Sequence, residues 1–227
     1  VTDRESTHNL NTDYVAYIDD IEVSNSSLPR VQYEDYPYNY NESSTITHDT
    51  RSTSAVKLTD SKGVVQQVTT NQASSRKLYF AKLADQLQAM AGEVVTPGLT
   101  SSFSTWMHTY VYLDRNQDGR FNMDSNENGT PTDESDIMAY SYYNGKNSKG
   151  QNAGESNSLT PPSFTVPADL APGFYRIRYK VDWDDLDVGG SVVEGNTILK
   201  NGGIIVDTRL NVHGSKVTVT RGQNAEG

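Results

Sequence analysis

The sequence predicts an all-β fold, an antiparallel β-sandwich with jelly-roll-like connections, and three observations carry that prediction. Short runs of β-branched and aromatic residues recur along the chain. Gly, Asn, Ser, Asp and Pro fill the stretches between them. The long helical segments that a βαβ fold would need between its strands are missing, with one ambiguous stretch.

In chain order, residues 1–13 read as a linker and residues 14–220 as a single sandwich domain. Strands are expected at Tyr14 to Val23, Ser54 to Leu58, Val64 to Thr69, Thr109 to Leu113, Ser163 to Val166, Tyr175 to Val181, Ile204 to Val212 and Lys216 to Thr220. The ambiguous stretch is RKLYFAKLADQLQAMAGE. Leu83, Leu87 and Met90 recur there at helical spacing with Gly92 as a stop. The competing reading is two strands, Leu78 to Ala81 and Gln86 to Ala91, joined by a turn near Ala84 and Asp85. Residues 124–162 form a long polar insertion, and residues 221–227 read as a tail or as a linker to a further domain. Alternation places Trp106, Val111, Leu113, Phe164, Val166, Tyr175, Ile177, Ile205 and Leu210 in the core.

Composition excludes several functions. Lys plus Arg total 19 against 29 Asp plus Glu, a formal net charge of −10, and the basic residues are scattered singly. Nucleic acid and anionic membrane are therefore disfavoured as partners, while divalent cations suit the surface. Without cysteine there is no disulfide, zinc thiolate or cysteine nucleophile. No apolar run approaches the ~20 residues of a transmembrane helix. A signal peptide or lipid anchor is expected to have been removed ahead of Val1.

The stretch YVYLDRNQDGRFNMDSNENG sets Asp114, Asn116 and Asp118 at alternate positions before Gly119. That is the first half of an oxygen-ligand calcium loop, with the backbone carbonyl of Arg120 as a fourth ligand and Asp124 or Asp182 completing the shell. The twelfth position is Ser125 rather than a bidentate Glu, and the preceding MHTYVYL is not helical in character, so this is no EF-hand. The same residues also cap a hairpin by bonding their own backbone, with no metal, and both readings stand.

WMHTYVYLDRNQDGRF, SFTVPADLAPGFYRIRYKVDW and GGIIVDTRLNVHG follow one another in an order and spacing that resembles GEVED-type β-sandwich modules of secreted and surface-anchored Gram-negative proteins. The matching positions are Asp114, Asn116, Asp118, Gly119 and Phe121; Val166, Pro167, Ala168, Pro172, Gly173, Arg176 and Arg178; and Gly203, Asp207, Asn211 and Val212. Both glutamates of the family's closing segment are replaced here by Ile204 and Val206, leaving Asp207. The resemblance covers the second half of the chain. It implies strands rather than a helix for residues 78–91, and an extracellular or outer-membrane-surface location.

Two function classes follow. One is a non-catalytic module binding a glycan or a cell-surface protein, or acting as an adhesion element or spacer. The other is a carbohydrate-active hydrolase using an acidic pair drawn from Asp114 to Asp124 and Asp182 to Asp187. Candidate ligand contacts are Tyr33, Tyr36, Tyr38 and Tyr40, whose alternative role is to cover the sandwich end, and Asp182, Trp183 and Asp184, whose alternative is a solvated loop. No HExxH, GxSxG, phosphate loop or GxGxxG is present, and His108 at a strand start reads as a structural residue.

Overall fold

A computed structural model describes residues 51, 53–70, 80–102, 107–122, 132, 135–154, 159–183, 188 and 204–214. Among these described residues nine strands form where β-branched and aromatic residues concentrate: β1 (Thr53–Thr59), β2 (Val65–Thr69), β3 (Phe80–Met90), β4 (Val94–Ser101), β5 (His108–Leu113), β6 (Ile137–Ser141), β7 (Phe164–Thr165), β8 (Gly173–Asp182) and β9 (Ile204–His213). They build a four-stranded sheet of order β2-β1-β4-β7 and a five-stranded sheet of order β3-β9-β8-β5-β6. The chain crosses repeatedly between the two sheets, and the fold is a β-sandwich with no helix among the described residues. No helix there is long and apolar enough to cross a membrane.

Alternation builds the core. Tyr175, Ile177, Tyr179 and Val181 of β8 pack with Ile204, Val206, Leu210 and Val212 of β9 and Val111 and Leu113 of β5, against Val56, Leu58, Val68, Val95 and Phe164 of the facing sheet. The Tyr179 hydroxyl donates to the Lys57 carbonyl at 2.8 Å, bonding one sheet to the other through the core. Seven of the nine expected core residues lie in this cluster: Val111, Leu113, Phe164, Val166, Tyr175, Ile177 and Leu210. Ile205 is buried, but strand alternation sends it to the opposite face from Ile204 and Val206. Trp106 lies outside the described residues, as do the expected strands at 14–23 and 216–220.

The ambiguous segment is a strand. β3 pairs with β9 in parallel, the one parallel pair among the described strands. Its register jumps from Lys82↔Thr208 to Gln86↔Arg209, so the expected turn near Ala84 and Asp85 is a bulge within one strand. The outer edge of β3 is guarded by a side chain from the other sheet. The Gln66 carboxamide donates to the Gln88 carbonyl at 2.8 Å and accepts from the Gln88 N–H at 2.6 Å, imitating a neighbouring strand.

Two strands were not read from the sequence. β4 contains Pro97 and Gly98, which argue against a strand interior, and β7 pairs only with Val94 and Val95, so Pro97 lies where β4 has a single described neighbour. β6 lies within the polar stretch 124–162 and forms a sheet edge against β5.

Within β5, Thr109 is fully buried and its hydroxyl has no hydrogen-bond partner among the described residues. Thr109→Val keeps the shape and removes the desolvated hydroxyl. Urea unfolding is expected to show a gain of roughly 1 kcal/mol.

Candidate functional site

The outer face of the five-stranded sheet gathers a dense set of charged side chains among the described residues. On β8, alternation turns Phe174, Arg176, Arg178, Lys180 and Asp182 away from the core, and on β9 it turns Asp207, Arg209 and Asn211 the same way. Charged residues on an outer sheet face normally meet water, but much of this face is covered. Arg178, Lys180, Asp182 and Asp207 are each at most 2% exposed.

These charges are matched in place. Arg178 clasps Asp207 with two hydrogen bonds, Nε to Oδ1 at 2.7 Å and Nη2 to Oδ2 at 2.9 Å, and Arg176 approaches the same carboxylate at 3.7 Å. A third Arg178 donor reaches the Val188 carbonyl at 3.0 Å, and its guanidinium lies over the Phe121 ring at 4.6 Å. Lys180 pairs with Asp182 at 3.5 Å and sits over the Tyr110 ring at 4.6 Å. Tyr110, Tyr112 and Phe121 form a second apolar cluster over this face, with Ile137, Tyr140, Tyr142 and Val188 packed against it. His108 joins as a structural group, its Nδ1 accepting the Tyr143 N–H at 2.9 Å and its ring meeting Tyr142 edge-on.

The loop after β5 winds on its own polar groups. Asp114, fully buried, accepts the Gly119 N–H through Oδ2 at 3.1 Å, and Gly119 holds a positive φ of 84°, which glycine adopts without strain. Asn116 Oδ1 accepts the Asp118 N–H at 3.1 Å, and Asp118 Oδ1 accepts the Arg120 N–H at 2.8 Å. Asn116 also donates its amide to Asp118 Oδ2 at 3.0 Å. Asp136, from the stretch ahead of β6, locks the loop by accepting from Arg115 Nε at 3.2 Å and from the Asn122 N–H at 2.6 Å. This is the self-bonded turn that the sequence offers as one of its two readings. No group of three or more His, Cys, Asp or Glu gathers as a metal site among the described residues, and Asp124 lies outside them. The cation reading reduces to a measurement. With calcium in the loop, melting temperature rises with added calcium and falls with chelator by mass action, and Asp114→Ala with Asp118→Ala removes the response.

Of the remaining candidate contacts, Asp182 is fully buried, held by Lys180 and by the Trp183 N–H donating to its Oδ1 at 2.7 Å. Trp183 is half-buried beneath Arg51, whose guanidinium lies 5.1 Å from its ring centroid. Tyr33, Tyr36, Tyr38, Tyr40 and Asp184 lie outside the described residues.

A cleft of about 820 Å3 lies at the opposite edge, between the β1–β2 and β3–β4 turns, lined by polar groups such as Asp60, Lys62, Gln88 and Glu93. Glu93 ties the two turns together. It accepts from the Ser61 hydroxyl at 2.6 Å, the Ser61 N–H at 3.1 Å and the Met90 N–H at 2.9 Å. Partial burial pushes its carboxyl upward, but the hydrogen bonds from Ser61 and Met90 and the Lys62 charge outweigh burial, so it titrates below its usual range. A carboxylate with a depressed native pKa adds stability above its unfolded value, about 4.3, that is lost as pH falls through the native value. Glu93→Gln is expected to cost roughly 1 kcal/mol at neutral pH and to flatten the acid limb of the stability profile.

The sequence reading missed the open end of the outer face. Phe174, 50% exposed, heads the charged face of β8, and the Arg209 guanidinium lies 5.4 Å from its ring centroid. The period-2 pattern of GFYRIRYKVD was the available signal, since it sets one aromatic among charges on the outer face.

No curated protein matches the chain. A family model does match, over residues 108–198, the span from β5 through β8 that supplies the self-bonded loop, Phe121 and the Arg176–Asp182 row. The match stops short of β9 and its Gly203–Asp207 segment. The family matched over those residues is the GEVED domain, to which this part of the chain is similar.

Proposed function

We propose that the chain is a non-catalytic binding module carried by an extracellular or cell-surface protein, with a glycan as its ligand class. The observation that carries this reading is where the carboxylates are spent. A glycosidase needs two carboxyl groups facing each other across an open groove, about 5–10 Å apart, one of them protonated. Here Asp207 is closed between Arg178 and Arg176, Asp182 is buried against Lys180, and Asp136 and Glu93 hold loops through backbone N–H groups. Asp207, Asp182 and Asp136 are thereby withdrawn into the fold, and Glu93, which lines the open cleft with Asp60, titrates below its usual range where a hydrolase would need a protonated acid.

A glycan panel read for binding and for product release tests the proposal. Binding without turnover is the expected result. Released product would establish the hydrolase alternative, and the pair would then be sought among the acids of 123–130 and 184–187, outside the described residues.

A further inference from the structure

We propose that the open end of the outer sheet face, built on Phe174, Arg209, Asn211 and Gln86, is the ligand site, and that its ligand is an acidic glycan with a sugar carboxylate. The inference rests on the binding-module reading and names its site and substrate class.

The register assembles the site. On β8 and β9, Phe174 lies opposite Asn211 and Arg176 opposite Arg209, and β9 pairs in turn with β3 at Arg209↔Gln86 and Asn211↔Gln88. Two adjacent rows therefore cross three strands on one face: Gln86, Arg209, Arg176 and Gln88, Asn211, Phe174. Adjacent strands lie about 4.8 Å apart, so each row spans about 10 Å, the length of a short oligosaccharide. Gln86, Gln88 and Phe174 are exposed and Arg209 and Asn211 half-buried, whereas the same face a few residues along is closed over Arg178 and Lys180. Strands hold all of these groups, so little order is lost on binding.

Charge selects the ligand. Arg178 and Arg176 converge on Asp207, but the Arg209 guanidinium has no carboxylate or hydrogen-bond partner among the described residues and lies over the Phe174 ring. Stacking on that ring fixes the guanidinium plane and leaves its fork of donors to pair with a planar anion. A carboxylate fits the fork bidentately. The carboxamides of Gln86 and Asn211 are likewise without a partner among the described residues, and each offers donors and an acceptor, which matches hydroxyls that both give and accept. The exposed part of Phe174 supplies an apolar surface for the C–H face of a pyranose. An acidic peptide would satisfy Arg209 and the carboxamides but brings no flat C–H face to the exposed Phe174 ring, so the sugar acid is favoured.

Titration calorimetry with oligogalacturonate, the neutral galactose oligomer of equal length and poly-glutamate tests this, with parallel assay for released product. The expected result is binding of oligogalacturonate that weakens with salt and falls roughly tenfold in Arg209→Gln, a variant whose melting temperature is unchanged because it breaks no ion pair. Phe174→Ala is expected to weaken the same ligand, and Asn211→Leu provides a second variant on the neighbouring row. The inference is overturned if the neutral oligomer binds as tightly, if poly-glutamate does, if Arg209→Gln binds unchanged, or if no uronate binds. Those results leave the non-catalytic reading standing, whereas product release would refute that reading itself.

Discussion

Asp207→Ala is expected to lower folding stability by about 3–5 kcal/mol, the cost typical of removing one partner from a buried ion pair. The carboxylate is 1% exposed and lies between the Arg178 fork and Arg176. Once it is gone, two buried guanidinium charges remain, that of Arg178 against the Phe121 ring, with that counter-charge removed. Their desolvation, not the lost hydrogen bonds alone, sets the size of the effect. Replacing the clasp as a whole separates these contributions. Arg178→Met combined with Asp207→Leu removes both charges and restores apolar volume, and it is expected to recover most of the loss, because desolvation of a buried pair largely offsets its attraction. Urea unfolding of the parent, the single variant and the double variant measures this. A single-variant loss under roughly 1 kcal/mol, the range of an exposed pair, would mean that water reaches the guanidinium despite its burial.

The same face shows what the sequence did and did not carry. The β8 alternation was readable, since Tyr175, Ile177, Tyr179 and Val181 fall on one side and Arg176, Arg178, Lys180 and Asp182 on the other. By charge alone the second set belongs in water, yet Arg178, Lys180 and Asp182 are buried. Charged residues are rarely buried unless paired, and the Asp207 that pairs Arg178 sits on a strand whose position beside β8 no local pattern announces. β3 posed a related problem. Leu83, Leu87 and Met90 fit a helix as well as a strand, and what decides for a strand is β9 on one side and the Gln66 carboxamide on the other, both distant in sequence. β4 was lost to Pro97 and Gly98, because breaker residues weigh against a strand when its neighbours are unknown. The Asp114–Gly119 loop was legible down to the positive φ of its glycine, because its bonds run between residues two to five apart. Arg209 and Phe174 each looked ordinary alone. Their meeting depends on the β8–β9 register, which only the folded chain supplies.

Tyr179 should govern the alkaline limit of stability. Its ring is fully buried between the sheets, and its hydroxyl donates to the Lys57 carbonyl. Burial pushes the phenol far above its usual value, because ionising it would place a charge in the core. Burial also raises Tyr140 and Tyr175, which are less enclosed. A group whose native pKa is raised contributes stability that is fully present below its unfolded value, about 10 for tyrosine, and that is lost as pH rises beyond it. The unfolding free energy is therefore expected to hold steady from neutral pH to about 10, then to fall by about 1.4 kcal/mol per pH unit for each tyrosine that ionises only on unfolding. Tyr179→Phe removes one titrating group. It is expected to cost roughly 1 kcal/mol at neutral pH, where the bond to Lys57 is lost, and to lessen the alkaline slope by about one proton. Tyr179→Ala leaves a cavity between the sheets and is expected to cost about 3–5 kcal/mol. Urea midpoints from pH 7 to 11.5 read all three. An unchanged alkaline slope in Tyr179→Phe would show that water reaches this phenol in the folded protein, contrary to a core closed around it.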